Sequence, residues 1–174
     1  MAALTTRQSA GQPAGQPAGR PAGVAAGRLI ASAGGIGFFP WAPGTAGSAA
    51  ALLVGALGLS FAGHAALALA AVVVAAGGIW AIRAARAKDD PGWVVIDEVA
   101  GQWITLLGLG HLSWAGAALA FALFRLLDIT KPGPIGWADR RNSPLGIMAD
   151  DVIAGVIGAV ILWAVLRWKP MLLG

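Results

Sequence analysis

Apolar residues run along this chain in long blocks, without the alternation of a strand or the one-sided stripe of a surface helix. The clearest blocks are Ala46 to Ala62 and Ala65 to Ile82, each close to the ~20 residues that a bilayer-crossing helix needs. Val94 to Leu109 and Leu112 to Leu127 are shorter and more interrupted, and Val152 to Trp168 is the last block. The pattern predicts five helical segments. Asp97 and Glu98 fall in the first turn of the third, so residues 94–127 are expected to form a helical hairpin that only partly crosses the membrane. The predicted fold class is all-α, a polytopic membrane helical bundle.

Before the first block, Gly11-Gln12-Pro13-Ala14 repeats as Gly15-Gln16-Pro17-Ala18 and nearly again as Gly19-Arg20-Pro21-Ala22. This composition offers no core, so residues 1–27 are expected to be a disordered low-complexity tail and residues 28–174 a single helical membrane domain. The tail lacks the apolar run of a signal peptide.

Composition strengthens the membrane reading. Hydrophobic residues make up 57% of the chain and charged residues 11%, well below the ~25% of soluble domains. Alanine and glycine dominate the apolar set, which suits close helix packing in lipid. There is no cysteine, which excludes disulfides, thiolate metal sites and a cysteine nucleophile. The net charge of +4 fits contact with anionic lipid. A basic surface interleaved with aromatics is lacking, so nucleic acid is not an expected partner, and no protein partner is expected.

Charge placement orients the bundle. With five crossings and the N-terminus inside, Arg7, Arg20, Arg28, Arg83, Arg86, Lys88, Arg125, Lys131, Arg140 and Arg141 fall on the cytoplasmic side, and only Arg167 and Lys169 outside. All acids map to the same cytoplasmic face: Asp89, Asp90, Asp97, Glu98, Asp128, Asp139, Asp150 and Asp151. His64 and His111 map to the opposite loops. A chain so poor in charge has gathered its carboxylates at one membrane surface, where burial cost makes such groups rare and usually functional. The expected location is therefore a membrane, with the carboxylate rim facing the cytoplasm.

Three segments carry candidate chemistry. In Pro40-Trp41-Ala42-Pro43-Gly44-Thr45-Ala46-Gly47-Ser48, prolines stop regular structure and glycines lead into a helix. Backbone N–H groups there attract phosphate, with Thr45 and Ser48 adding hydroxyls; a simple capped helix start fits the same residues. In Asp97-Glu98-Val99-Ala100-Gly101-Gln102, Asp97, Gly101 and Thr105 share a helix face, with Glu98 and Gln102 beside it. Adjacent carboxylates repel without a cation, and hard oxygen ligands suit magnesium, whereas capping accounts for acids in a first turn equally simply. The third segment offers Arg125 and Asp128 one turn apart, then Lys131, Arg140 and Arg141 as cations for a phosphate with Asp139 among them, then Asp150 and Asp151; positive-inside anchoring accounts for Arg140 and Arg141 equally well. Helix capping explains one of those last two aspartates but gives no reason for both.

Taken in order, these segments resemble the phosphatidylglycerophosphatase A family from about Gly37 to Gly158. The matching features are Ala42-Pro43-Gly44-Thr45-Ala46-Gly47-Ser48, Asp97-Glu98 with Gly101, Arg125-Leu126-Leu127-Asp128 with Lys131-Pro132, Asp139-Arg140, and Gly146-Ile147-Met148 with Asp150-Asp151. The chain departs from that pattern at Ala149 and at Asn142-Ser143-Pro144-Leu145. The resemblance implies an all-helical, magnesium-dependent enzyme that hydrolyses phosphatidylglycerophosphate to phosphatidylglycerol and phosphate. Its partner is then a phospholipid substrate in the membrane. Asp97, Glu98, Asp150 and Asp151 are the expected catalytic residues and Mg2+ ligands. Thr45, Ser48, Arg125, Asp128, Lys131, Asp139, Arg140 and Arg141 are expected to bind substrate. Another phospholipid head-group enzyme is disfavoured because the spaced aspartate motif of the CDP-alcohol transferases is missing. A small transporter or channel would need charges nearer the bilayer midplane.

Overall fold

The computed structural model describes residues 22–168. They form α1 (Ala22–Ala31), a short 3-10 turn (Ile36–Phe38), α2 (Pro43–Ala84), α3 (Ile96–Leu106), α4 (Trp114–Thr130), α5 (Pro134–Asp139) and α6 (Pro144–Trp168), with no strand among the described residues. The all-helical expectation holds. The segments expected at 46–62 and 65–82 are the two arms of α2, which breaks at Gly63 with φ 80° and ψ 179°. An unbroken helix of 42 residues would run ~63 Å, twice a hydrocarbon core. A residue with a Cβ resists that positive φ, so glycine marks the hinge. The arms fold back on each other: Gly47 on the first arm meets Val95, and Gly78 on the second meets Ile96, the very next residue.

α3 is short. Its 11 residues rise ~16 Å, about half of a ~30 Å hydrocarbon core. Trp103 Nε1 donates to the Ala51 carbonyl at 2.8 Å, fixing α3 to the first arm of α2. The chain then turns and returns through α4, which extends to Thr130, beyond the expected end at 127. His64 Nε2 donates to the Leu109 carbonyl at 2.6 Å, so the Gly63 hinge and the α3–α4 turn lie at one end of the bundle. The starts of α2, α3 and α6 and the end of α4 lie at the other. α2 and α6 are each long and apolar enough to cross a membrane. Leu53, Leu57, Phe61, Val72, Val160 and Trp163 stay exposed on their outer faces, as a lipid-facing surface requires.

The tightest seam joins α3 to α6. A Cβ on Gly155 would sit 2.5 Å from the Gly101 carbonyl oxygen, and one on Gly101 would sit 2.6 Å from the Asp151 carbonyl oxygen. Lower on the same seam, Gly158 faces Thr105 and Gly108 faces Ala159. Thr105 Oγ1 donates to the Gly101 carbonyl at 2.9 Å, so its hydroxyl is satisfied inside the packed interface.

α1 spans the boundary expected after residue 27. α1 starts at Ala22, because Gly27 has no side chain and can lie directly on the backbone of Ala81 and Ala85. The Ala31 carbonyl then accepts from the Val95 amide at 2.9 Å, immediately before α3. The repeats at residues 11–21 lie outside the described residues.

Gly155→Ala tests the seam. One methyl group would collide with the Gly101 backbone and push α6 from α3. The expected loss is about 2 kcal/mol of stability, read as a lowered thermal midpoint in detergent, together with a drop in activity. A variant as stable and active as the parent would show that the seam tolerates expansion.

Candidate active site

Packing at Gly101 and Gly155 puts the first turn of α3 against α6 at the level of Asp151. One oxygen each from Asp97, Glu98 and Asp151 then falls within 4.8 Å of the others. Asp97 and Asp151 are 5% and 2% exposed, so this is a buried cluster and not a solvated face. Glu98 Oε2 and Asp151 Oδ1 are buried without a hydrogen-bond partner among the described residues. Three like-charged groups in such a place destabilise one another unless a cation or proton intervenes. The donor set is all carboxylate oxygen, converging on one point, which fits a small hard divalent cation.

Asp150 goes elsewhere. Asp150 and Asp151 are successive on α6, and their side chains take different partners. Asp150 Oδ2 accepts from Lys131 Nζ at 2.8 Å, and the same ammonium also bonds Asp139. Of the expected metal ligands, the structure brings three together and gives the fourth to a lysine. Lys131 ends α4 in a left-handed conformation, φ 45° and ψ 52°, which is unusual for a residue with a side chain and turns the chain sharply into α5. Burial disfavours its charge, but the bonds to Asp139 and Asp150 outweigh this and raise its pKa above the ordinary lysine range. The cation is therefore held in place and stays charged.

Arg125 forms a third part of the site. Its Nη1 bonds Asp128 one turn on, lies 3.4 Å from Ser48 Oγ, and stands 3.9 Å from Glu98 Oε1. Its Nε is buried without a partner among the described residues. Ser48 is itself buried and donates to the Gly44 carbonyl at 2.8 Å. Thr45 is exposed and makes no hydrogen bond among the described residues. Arg140 and Arg141 are also exposed; Arg141 stacks over Trp137 at 3.7 Å, and neither forms an ion pair among the described residues. These three stand at the rim and are not part of the buried group.

Two residues escaped the sequence reading as site residues. A Cβ on Gly44 would fall 2.3 Å from Glu98 Oε1 and 3.3 Å from Arg125 Nη1, so its lack of a side chain makes room for both. Ala42, two residues earlier, has φ 104°, a strained conformation that aims the Pro43-Gly44 turn at the carboxylates. Gln102 is wholly buried one turn beyond Glu98, with both amide atoms lacking a partner among the described residues. The signal for Gly44 was its place directly after Pro43. For Gln102 it was the four-residue spacing from Glu98.

A helical bundle with buried carboxylates and fixed cations at one end is the frame of a membrane-embedded, phosphate-handling enzyme. Residues 29–166 match phosphatidylglycerophosphatase A, and the chain belongs to that family. It is 39% identical over 148 residues to phosphatidylglycerophosphatase A of Escherichia coli (strain K12), covering 82% of this chain and 85% of that protein. It is 35% identical over 144 residues to the Haemophilus influenzae protein of the same name, covering 80% and 88%. A Bacteroides thetaiotaomicron protein, named as a candidate phosphatidylinositol-3-phosphatase, is 37% identical over 148 residues, covering 80% and 92%. No solved structure matches the chain.

Lys131→Met tests the second cluster. It leaves Asp139 and Asp150 facing each other without their cation, and Asp150 is buried. Stability should fall by about 3 kcal/mol, seen in the thermal midpoint. Asp139→Asn, at the more exposed partner, should cost far less. Equal losses from both would contradict this division.

Proposed function

We propose that this protein hydrolyses the terminal phosphomonoester of phosphatidylglycerophosphate, releasing phosphatidylglycerol and phosphate, and depends on magnesium. The observation that carries the reading is the buried convergence of Asp97, Glu98 and Asp151 beside Arg125. The three relatives' names share a phosphomonoester on a glycerophospholipid head group; the family match and two of those names favour phosphatidylglycerophosphate.

Asp97, Glu98 and Asp151 would hold the metal. When bound there, magnesium would polarise the phosphoryl oxygens and acidify a water molecule. The protein's own groups do the rest. Asp128 and Ser48 fix Arg125 so that its guanidinium meets the phosphate. Lys131, held between Asp139 and Asp150, supplies a second fixed positive charge. Asp150 therefore acts through Lys131. The attacking water loses a proton to one of these carboxylates acting as base instead of ligand; Glu98 Oε2 and Asp151 Oδ1 both lack a competing protein partner among the described residues. Its oxygen bonds phosphorus, the bond to the glycerol oxygen breaks, and that oxygen leaves with the proton that the carboxylate took from the water. Gly44 keeps the approach open, and Thr45, Arg140 and Arg141 serve at the rim, where the substrate's charged head arrives.

Asp97→Asn and Asp151→Asn should each lower phosphate release by two or more orders of magnitude, with folding intact, because the amide keeps the size and removes the charge. Asparagine caps a helix about as well as aspartate, so a capping role predicts nearly full activity. The measurement is phosphate release from purified protein with a lipid panel, with and without magnesium. Activity without magnesium, or full turnover by both variants, would remove the metal assignment; preference for another phosphorylated lipid would change the substrate.

The same reading places the carboxylate end of the bundle in the cytoplasm, with several crossings, because Arg83, Arg86, Lys88, Lys131, Arg140 and Arg141 lie at that end. Cysteines introduced at positions 88 and 142 should resist a membrane-impermeant thiol reagent in intact cells, and a cysteine at 111 should react. Labelling of 88 or 142 from outside would reverse the orientation.

A further inference from the structure

The first arm of α2 and α4 stand side by side. At one end they carry Ser48 and Arg125, in contact with each other and with the carboxylate cluster. Further along, the same two helices enclose a groove of about 580 Å³, with Leu53, Ala56 and Leu57 on one wall and Leu112, Trp114 and Ala117 on the other. Its two serines do not make it polar. Ser60 Oγ donates to the Ala56 carbonyl at 2.9 Å, and Ser113 Oγ accepts from the Gly116 amide at 3.0 Å. Ala56 and Ala117 make the space, since larger side chains would fill it. Leu57 and Trp114 are 59% and 91% exposed, so the groove opens to the outside of the bundle.

Its distance from the chemistry matches a lipid. At 1.5 Å per residue, Ala117 lies ~12 Å and Trp114 ~16 Å along α4 from Arg125. One leaflet's acyl chains reach about half the ~30 Å hydrocarbon core, roughly 15 Å. We propose that this groove seats an acyl chain of the substrate lipid whose phosphate lies at Glu98 and Arg125. The proposal rests on the lipid-phosphatase reading above and adds a subsite to it. Bilayer and groove are equally apolar, so the groove gains little transfer energy. It acts by register. A chain lying between α2 and α4 sets the direction and depth at which the head group meets the carboxylates.

The test compares two substrates, dioleoyl and dihexanoyl phosphatidylglycerophosphate, in detergent. Ala56→Phe fills the groove from its wall, and Leu57→Trp does so from an exposed position that does not threaten folding. Both should lower kcat/KM for the dioleoyl lipid about ten- to hundredfold and leave the dihexanoyl lipid unchanged, because short chains do not reach the groove. Equal loss on both lipids, or no loss on either, would overturn the proposal. A phosphatidylglycerol probe with a photoreactive group midway along one chain gives a readout independent of turnover. Its adducts should map to residues 53–60 and 112–117 of the parent and be lost from Ala56→Phe. If the parent hydrolyses neither lipid, the phosphatase reading fails, while the adducts still decide the groove. Adducts elsewhere would overturn the groove, as would cross-links showing a second copy of the chain seated there.

Discussion

Close contact between α3 and α6 is the constraint on which the site depends. Two glycines back to back let Asp97 and Glu98 approach Asp151 across about fifty residues of chain. Without that contact each carboxylate could drift to water. With it, three acids share a space too small and too dry for three negative charges. Hydrophobic packing supplies the force, and the glycines convert it into electrostatic tension. The tension is useful only if a cation relieves it, which gives a physical reason for an acid cluster in a chain with so little charge.

Much of the architecture was legible in the sequence because lipid simplifies the code. Backbone polar groups must be satisfied internally, so long apolar blocks can only be helices, and the blocks at 46–62 and 65–82 match the arms of α2. Gly63 falls between the two blocks. Its positive φ turns one continuous apolar stretch into a hairpin. α1 was less legible. Ala22–Ala31 follows a proline-rich repeat with the same small residues, and nothing in its composition announces its contact with the backbone of Ala81 and Ala85.

Site residues divided along similar lines. Types and spacings brought out Asp97, Glu98, Arg125, Asp128, Lys131, Asp139 and the Asp150-Asp151 pair. They could not say which acid faces which cation, because that depends on helix rotation. Thr45, Arg140 and Arg141 carry the right chemistry for phosphate yet stand at the surface. Gly44 contributes by lacking a side chain beside Glu98, something a search for reactive groups passes over.

The adjacent aspartates of α6 show how one short motif can serve two electrostatic tasks. A pair that looks redundant in sequence meets two different neighbours in the packed bundle. Asp151 joins the carboxylates that need a cation, while Asp150 holds Lys131, a cation already present. A single helix start thus joins the carboxylate cluster to the ion pair that holds Lys131. Any shift of α6 along α3 would move Asp150 and Asp151 together, preserving their spacing while changing the distance of Asp151 from Glu98. The glycine seam limits that sliding, because only a few positions along α3 are narrow enough to admit α6. Register between two helices, more than any single hydrogen bond, therefore determines whether the carboxylates of α3 and α6 meet.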